Sequence, residues 1–165
     1  MSGLVGVLEC RLEILAPRAL QEFVAYPSAH EQLLSLGWPC VPGEVREDEA
    51  GMPVLLYFAP ARWLVAGDTP VGTGLLAAAV ESQSGVAVDV QGKWTEMILS
   101  GAEATRALAS TVDIEALLDE RGCVAITAFD CPAIIARATS GYRIWVGTSH
   151  AADFAAAIER LTRGT

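Results

Sequence analysis

The stretch RWLVAGDTPVGTGLLAAAVES at residues 62–82 has a counterpart in RIWVGTSHAADFAAAIER at residues 143–160. Each begins with an arginine and a short apolar run that carries a tryptophan, passes a glycine, and ends in an alanine-rich segment closed by glutamate. Trp63 corresponds to Trp145 in this alignment. The spacing predicts a strand, a turn and a helix that have been used twice in one chain.

Three further segments complete the predicted secondary structure. Apolar and polar residues alternate over 7–15, which predicts a strand. Residues 16–39 are predicted to form helical turns, and residues 86–101 a hairpin whose turn is Gln91-Gly92. Each half of the chain then runs strand, helix, strand, strand, helix.

This order predicts an α+β fold. We expect a single domain over residues 1–165, built from pseudo-repeat halves at about 1–84 and 85–165. The strands of each half are expected to form antiparallel sheets, with the helices packed on one face.

The composition is more apolar than that of an ordinary soluble domain. Hydrophobic residues make up 52% of the chain and charged residues 19%, against about 45–50% and about 25% on average. A membrane-spanning helix needs about 18 consecutive apolar residues, and the most apolar stretch, 54–67, is interrupted by Pro60 and Arg62. We therefore expect no membrane span, and we expect apolar surface to be buried against another chain.

The net charge and the cysteines bear on the partners and the cellular location of the protein. The formal net charge is −9, and nucleic-acid binding needs basic surface, so no nucleic-acid partner is expected. The first residues lack the pattern of a secretory signal. The four cysteines, Cys10, Cys40, Cys123 and Cys131, are then expected to be reduced thiols in the cytoplasm.

Few residues are spaced as catalytic or metal-binding groups are. The two histidines are His30 and His150, and Ser149 beside His150 is better explained as the start of the last helix than as part of a triad. No paired cysteine or histidine spacing indicates a metal site. We expect no catalytic residue and no metal ligand in this chain.

Two stretches leave alternatives open. GDTPVGTG at 67–74 follows a strand and opens a helix, so it is either a phosphate cradle or a tight turn in which Thr69 or Thr73 caps the helix. It has no lysine of the phosphate-loop type and does not spell a dinucleotide fingerprint. Cys123 follows Gly122 at a predicted strand start and is either a reactive thiol or an inert strand residue.

The tryptophans divide into two pairs. Trp63 and Trp145 are expected to pack beneath the matching helices. Trp38 lies between Gly37 and Pro39, and Trp94 follows a turn, so both are expected nearer an edge. Buried aromatic anchors dominate many interfaces. Trp38 and Trp94 are therefore the candidate contact residues for a partner, the alternative being simple core or rim packing.

An ordered set of short motifs resembles the γ subunit of heterotetrameric sarcosine oxidase. The motifs are PARWL at 60–64, VDV at 88–90, LSG at 99–101, a glycine-cysteine pair at 122–123, and the aromatic strand at 142–147 that runs into the last helix. The resemblance covers roughly residues 54–163.

The resemblance implies a folate-binding aminomethyltransferase-like fold and a place among α, β, γ and δ chains. Such a complex oxidatively demethylates sarcosine to glycine and passes the one-carbon unit to tetrahydrofolate. FAD, FMN and NAD are then carried by the larger subunits, and this chain is expected to bind no cofactor itself. Related folate-dependent iron–sulfur assembly proteins have a longer motif, of which residues 121–124 keep only the glycine and cysteine. No catalytic residue is carried over.

Two other functions are compatible with the same sequence. The chain could be a free-standing folate-binding, aminomethyltransferase-like protein of one-carbon metabolism. It could also pair its apolar faces with copies of itself and form a homo-oligomer.

Overall fold

The computed structural model describes residues 8–118 and 122–163. Within them, the strands are β1 (Arg11–Ile14), β2 (Leu20–Ala25), β3 (Val45–Glu47), β4 (Pro53–Ala59), β5 (Arg62–Ala66), β6 (Gly85–Asp89), β7 (Trp94–Ser100), β8 (Cys123–Ala128), β9 (Cys131–Ala138) and β10 (Gly141–Gly147). The α-helices are α1 (His30–Ser35), α2 (Pro70–Glu81), α3 (Ala104–Ala109), α4 (Ile114–Leu117) and α5 (Ala151–Arg163). A short 3₁₀ turn, Thr148–His150, precedes α5.

The strands form two five-stranded sheets, one in each of two compact units. One unit contains residues 17–92 and 122–123, and its sheet has the order β3-β4-β5-β2-β6. The other contains residues 8–16, 93–118 and 124–163, and its sheet has the order β8-β9-β10-β7-β1. The seven strand pairs with a defined register are antiparallel.

The two sheet orders are the same once each strand is replaced by its counterpart. β2 corresponds to β7, β3 to β8, β4 to β9, β5 to β10 and β6 to β1, while the long helices α2 and α5 each follow the equivalent strand. The predicted α+β fold with antiparallel sheets and internal duplication is confirmed.

The opening stretch forms the predicted elements for local reasons. β5 ends at Ala66, and α2 begins at Pro70, whose fixed φ suits the first helical position. Thr69 is the N-cap, and its Oγ1 accepts a hydrogen bond from the backbone N–H of Gly72 at 3.0 Å. The cap satisfies one of the N–H groups that the first helical turn leaves without a partner.

Each sheet packs its helix-facing side chains into a core. In the first unit, Phe23, Trp38 and Trp63 form an aromatic cluster, with ring centroids 4.7 Å apart for Phe23–Trp38 and 5.6 Å for Trp38–Trp63. In the second unit, the core includes Ile144 of β10 and Phe154 of α5.

The expectation that both strand tryptophans pack beneath the helices is half wrong. Trp63 lies in the helix-facing core. Trp145 is also buried, but its neighbours Ile144 and Val146 belong to the core on the helix side, and successive strand residues point to opposite faces. Trp145 therefore lies on the other face of its sheet.

Two segments have a different structure from the one predicted. Residues 20–25, predicted as helical turns, form strand β2 between β5 and β6. Residues 86–101 do not form a hairpin, because β6 pairs with β2 whereas β7 pairs with β1 and β10. Each sheet thus takes one edge strand from across the boundary predicted near residue 84.

An arginine–glutamate pair recurs at the equivalent place in both sheets. Arg62 of β5 binds Glu22 of β2, and Arg143 of β10 binds Glu96 of β7. The Arg62 Nε–Glu22 Oε1 distance is 2.6 Å. The side chains of Arg143 and Glu96 retain 7% and 4% of their exposure, so this pair is almost entirely removed from water.

No helix in the described part of the chain has the length and apolar character needed to cross a membrane.

Replacing Arg143 with methionine is expected to lower the free energy of unfolding by about 3–5 kcal/mol, because it leaves the carboxylate of Glu96 buried without its cation. Urea unfolding followed by circular dichroism measures the loss. Arg163→Met is the control, since Arg163 pairs with Glu159 at 3.1 Å while both side chains are exposed; it should cost no more than about 0.5 kcal/mol. Equal losses in the two variants would contradict the structural role of the buried pair.

Candidate functional site

An open cleft of about 450 Å³ gathers titratable side chains in the unit that contains β7 to β10. It is lined by the turn between β8 and β9, by the 3₁₀ turn and by one face of α5. Its titratable residues are Asp130, Cys131, His150, Asp153 and Arg160.

The turn at the cleft has a conformation unusual for its residues. Phe129 and Asp130 have φ angles of 50° and 60°, the left-handed region at both central positions of a two-residue hairpin turn. The Phe129 ring packs edge-on against Phe154 with centroids 5.5 Å apart, and its backbone N–H donates to Thr111 Oγ1 at 3.1 Å. These contacts hold an aromatic residue where glycine or asparagine is the usual choice.

The thiol of Cys131, which lines the cleft, is not activated as a nucleophile. Cys131 is buried, and its Sγ lies 3.3 Å from the backbone carbonyl oxygen of Phe129. Burial is the main reason why the pKa of this thiol is raised, and the negative charges of Asp153 and Asp130 raise it further. Because the thiolate is the reactive form, Cys131 stays neutral and inert near pH 7.

Cys123, the other thiol of interest in the sequence, is a structural residue. Its backbone N–H and that of Gly122 both donate to the carbonyl oxygen of Gly43 at 2.9 Å, and its Sγ lies 3.8 Å from the carbonyl oxygen of Tyr57. Burial raises the pKa of Cys123 to about 12. The reactive-thiol alternative is therefore disfavoured.

The histidines lie in two different helical segments. His30 is the first residue of α1, and His150 ends the 3₁₀ turn before α5 with Ser149 exposed beside it. Over residues 8–118 and 122–163, no three side chains of histidine, cysteine, aspartate or glutamate come together in a way that could hold a metal ion.

The glycine-rich loop at 67–74 is built for packing. Thr69 already occupies an N–H group of the first helical turn. A side chain at Gly72 would collide with the carbonyl oxygen of Ala66, so glycine is needed for helix and strand to approach each other. These contacts favour the tight-turn alternative over a phosphate cradle.

The two tryptophans predicted to contact a partner differ in burial. Trp38 is 2% exposed and packs between Phe23 and Trp63, so the expectation that it lies at an edge is wrong. Trp94, the first residue of β7, is half-buried, and Lys93 Nζ lies 5.2 Å from the centroid of its ring. A partner contact at Trp94 stays a prediction.

Among the strands that the structure describes, β6 exposes two large aliphatic side chains, which the sequence did not indicate. Val86 and Val88 are 46% and 51% exposed and lie on the face of the sheet that also carries Glu22. We call these two residues the valine edge. Other large apolar residues with comparable exposure are Ile14, Tyr26, Leu34, Val41 and Val80. The alternating valines over 86–90 indicate a strand, but this pattern does not show that the strand lies at the edge of a sheet.

Comparisons with solved structures show a likeness over nearly the whole chain. A chain of the heterotetrameric sarcosine oxidase from Corynebacterium sp. U-96, solved in complex with pyrrole 2-carboxylate, matches with a TM-score of 0.74 and 20% identity. The match covers 97% of this chain and 89% of that chain. This chain therefore shares its fold with a chain of a sarcosine oxidase.

Two more distant structures match with TM-scores below 0.5. The regulatory subunit of aspartate kinase from Thermus thermophilus has a TM-score of 0.43 and 13% identity over 94% of this chain and 99% of its own. A protein of unknown function from Vibrio cholerae, described as a possible transport protein, has a TM-score of 0.37 and 14% identity. That match covers 93% of this chain and 91% of the other. No family model and no curated protein sequence matches the chain.

Cys123 is expected to make the stability of the fold depend on alkaline pH. Its pKa rises from an ordinary value of 9.0 to about 12 on folding, so the folded chain holds the proton more tightly than the unfolded chain. The resulting stabilisation is complete below pH 9 and is lost as the pH rises toward 12, at about 1.4 kcal/mol per pH unit.

Urea unfolding of the wild type and of Cys123→Ala at pH 8, 9, 10 and 10.5 measures this difference. Removing the thiol changes the free energy of unfolding by an amount that is constant below pH 9, and it should abolish this part of the alkaline slope above pH 9. Parallel curves for the two proteins above pH 9 would show that the thiol does not ionise in the unfolded chain more readily than in the folded one.

Proposed function

We propose that this chain is a non-catalytic accessory subunit of a sarcosine-oxidase-type complex, in the position of its γ chain. The observation that carries the proposal is the fold shared with a chain of heterotetrameric sarcosine oxidase over nearly the whole length of both chains. The ordered motifs between residues 60 and 147 support the same assignment.

The chemistry of the described residues agrees with an accessory role. The pKa values of all four cysteines are raised, so none is held as a thiolate at neutral pH. The valine edge and the 52% hydrophobic composition support a chain that is covered by other polypeptides.

In the proposed complex, the partners are α, β and δ chains in the cytoplasm. The complex would oxidatively demethylate sarcosine to glycine and transfer the one-carbon unit to tetrahydrofolate. FAD, FMN and NAD would be bound by the other chains. This chain would contribute surface that holds the assembly together.

Co-expression of a tagged form of this chain with α, β and δ chains of a sarcosine-oxidase-type complex from the same source is expected to yield one stoichiometric complex. The purified complex should show flavin absorbance and oxidise sarcosine. Size-exclusion chromatography with multi-angle light scattering gives its composition. If the tagged chain elutes alone while the other three assemble, the proposed function is wrong.

The cleft of about 450 Å³ favours, as a second candidate, a free-standing folate-binding protein. Calorimetric titration of the isolated chain with tetrahydrofolate separates the two candidates. Stoichiometric binding without partner chains would favour the free-standing protein, whereas binding only in the assembled complex would favour the subunit.

A further inference from the structure

Alternate residues of β6 form backbone hydrogen bonds with β2, and the backbone groups of the others point away from the sheet. Val90 N–H donates to the carbonyl oxygen of Leu20 at 3.0 Å, and Tyr26 N–H donates to that of Ser84 at 2.9 Å. In an antiparallel pair the bonded positions alternate with the non-bonded ones. The even-numbered residues of β6 therefore bond to β2, while the N–H and C=O groups of the odd-numbered residues point away from the sheet.

Two of those residues offer their backbone groups to solvent. Ala87 and Asp89 are exposed, and in the part of the chain that the structure describes β6 has β2 as its one strand neighbour. A strand placed antiparallel to β6 would exchange two hydrogen bonds with each residue. The occupant that this edge fits is thus an extended strand rather than a helix or a loop.

The side chains beside these groups are aliphatic. Val86 and Val88 point to one face of the sheet, and Val24, opposite Val86 on β2, is half-buried next to them. The equivalent edge of the other unit, β1, is different: Arg11 and Glu13 pair at 3.7 Å with side chains 78% and 53% exposed. Charges protect an exposed edge against pairing, and valines do not.

Exposed acidic residues flank the valine edge along the chain. Glu81 is exposed in the last turn of α2, which has no basic residue to offset the negative end of the helix dipole. Asp89 is exposed at the end of β6. A strand that carries aliphatic residues at alternate positions and basic residues toward its ends would match both features. A second copy would instead bring another net charge of −9 to the same edge.

We propose that β6 is the docking edge for a partner subunit, which adds an antiparallel strand to the sheet with aliphatic side chains against the valine edge and basic residues near Glu81 and Asp89. This inference rests on the proposed function, since the partner strand belongs to another chain of the complex. The added strand would complete a six-stranded sheet.

Two variants test the strand addition in different ways. Val88→Lys places a charge on the exposed face where the partner's aliphatic side chains would pack. Ala87→Pro removes an N–H group that points away from β2, so it blocks pairing with a partner while leaving the bonds within the sheet in place. Val41→Lys is the matched control, because Val41 is also exposed, at 59%, and lies outside β6.

Affinity is measured by titrating each purified variant into the co-expressed α, β and δ chains, with thermal melts to check that each variant is folded. We expect Val88→Lys and Ala87→Pro each to weaken assembly by about tenfold or more, and Val41→Lys to bind as the wild type does. If both β6 variants fold and assemble with wild-type affinity, the docking edge is wrong while the proposed function stands.

Two other results also overturn the inference. A wild-type chain that forms a dimer by itself, and becomes monomeric with Val88→Lys, would show that the edge is occupied by a second copy. A wild-type chain that does not assemble with the other chains would remove the proposed function and this inference with it.

Discussion

In each sheet, the central antiparallel pair is fixed by an arginine and a glutamate on neighbouring strands. Arg62 reaches Glu22, and Arg143 reaches Glu96, with each glutamate two positions along from the residue opposite the arginine. A slip of one residue would turn these side chains toward the helix-facing core, where no counter-charge is provided. The register decides in turn which residues of β5 and β10 pack beneath the helices.

This register explains what the repeated motif could and could not predict. The motif correctly located two equivalent strands and two equivalent helices, but it aligned Trp63 with Trp145. The ion pairs align Arg62 with Arg143, so the structural counterpart of Trp63 is Ile144. Trp145, one residue further, points to the opposite face of its sheet. Because the glutamates lie 40 and 47 residues away, no local pattern could choose between the two alignments.

The segments that were predicted wrongly are those whose structure depends on distant partners. Residues 20–25 contain good helix formers, yet they form β2 because β5 and β6 flank them on both sides. The position of Trp38 was predicted from its neighbours Gly37 and Pro39, and Cys123 was left open between a reactive thiol and an inert strand residue. Folding places Trp38 inside an aromatic cluster and Cys123 in a buried position. The composition predicted an excess of apolar residues, but not that two exposed valines would lie together on β6.

The internal duplication supplies a comparison that a single-copy fold would not. β1 and β6 occupy the same place in two sheets of the same strand order, so the requirements of folding at these edges are alike. β1 satisfies them with an exposed arginine–glutamate pair, which shows that this fold tolerates charge there. The valines of β6 are therefore not imposed by the architecture. Exposed aliphatic side chains at an edge favour unwanted pairing, and the two valines on the face where β1 carries its charged pair are explained if another strand covers them in the assembled state.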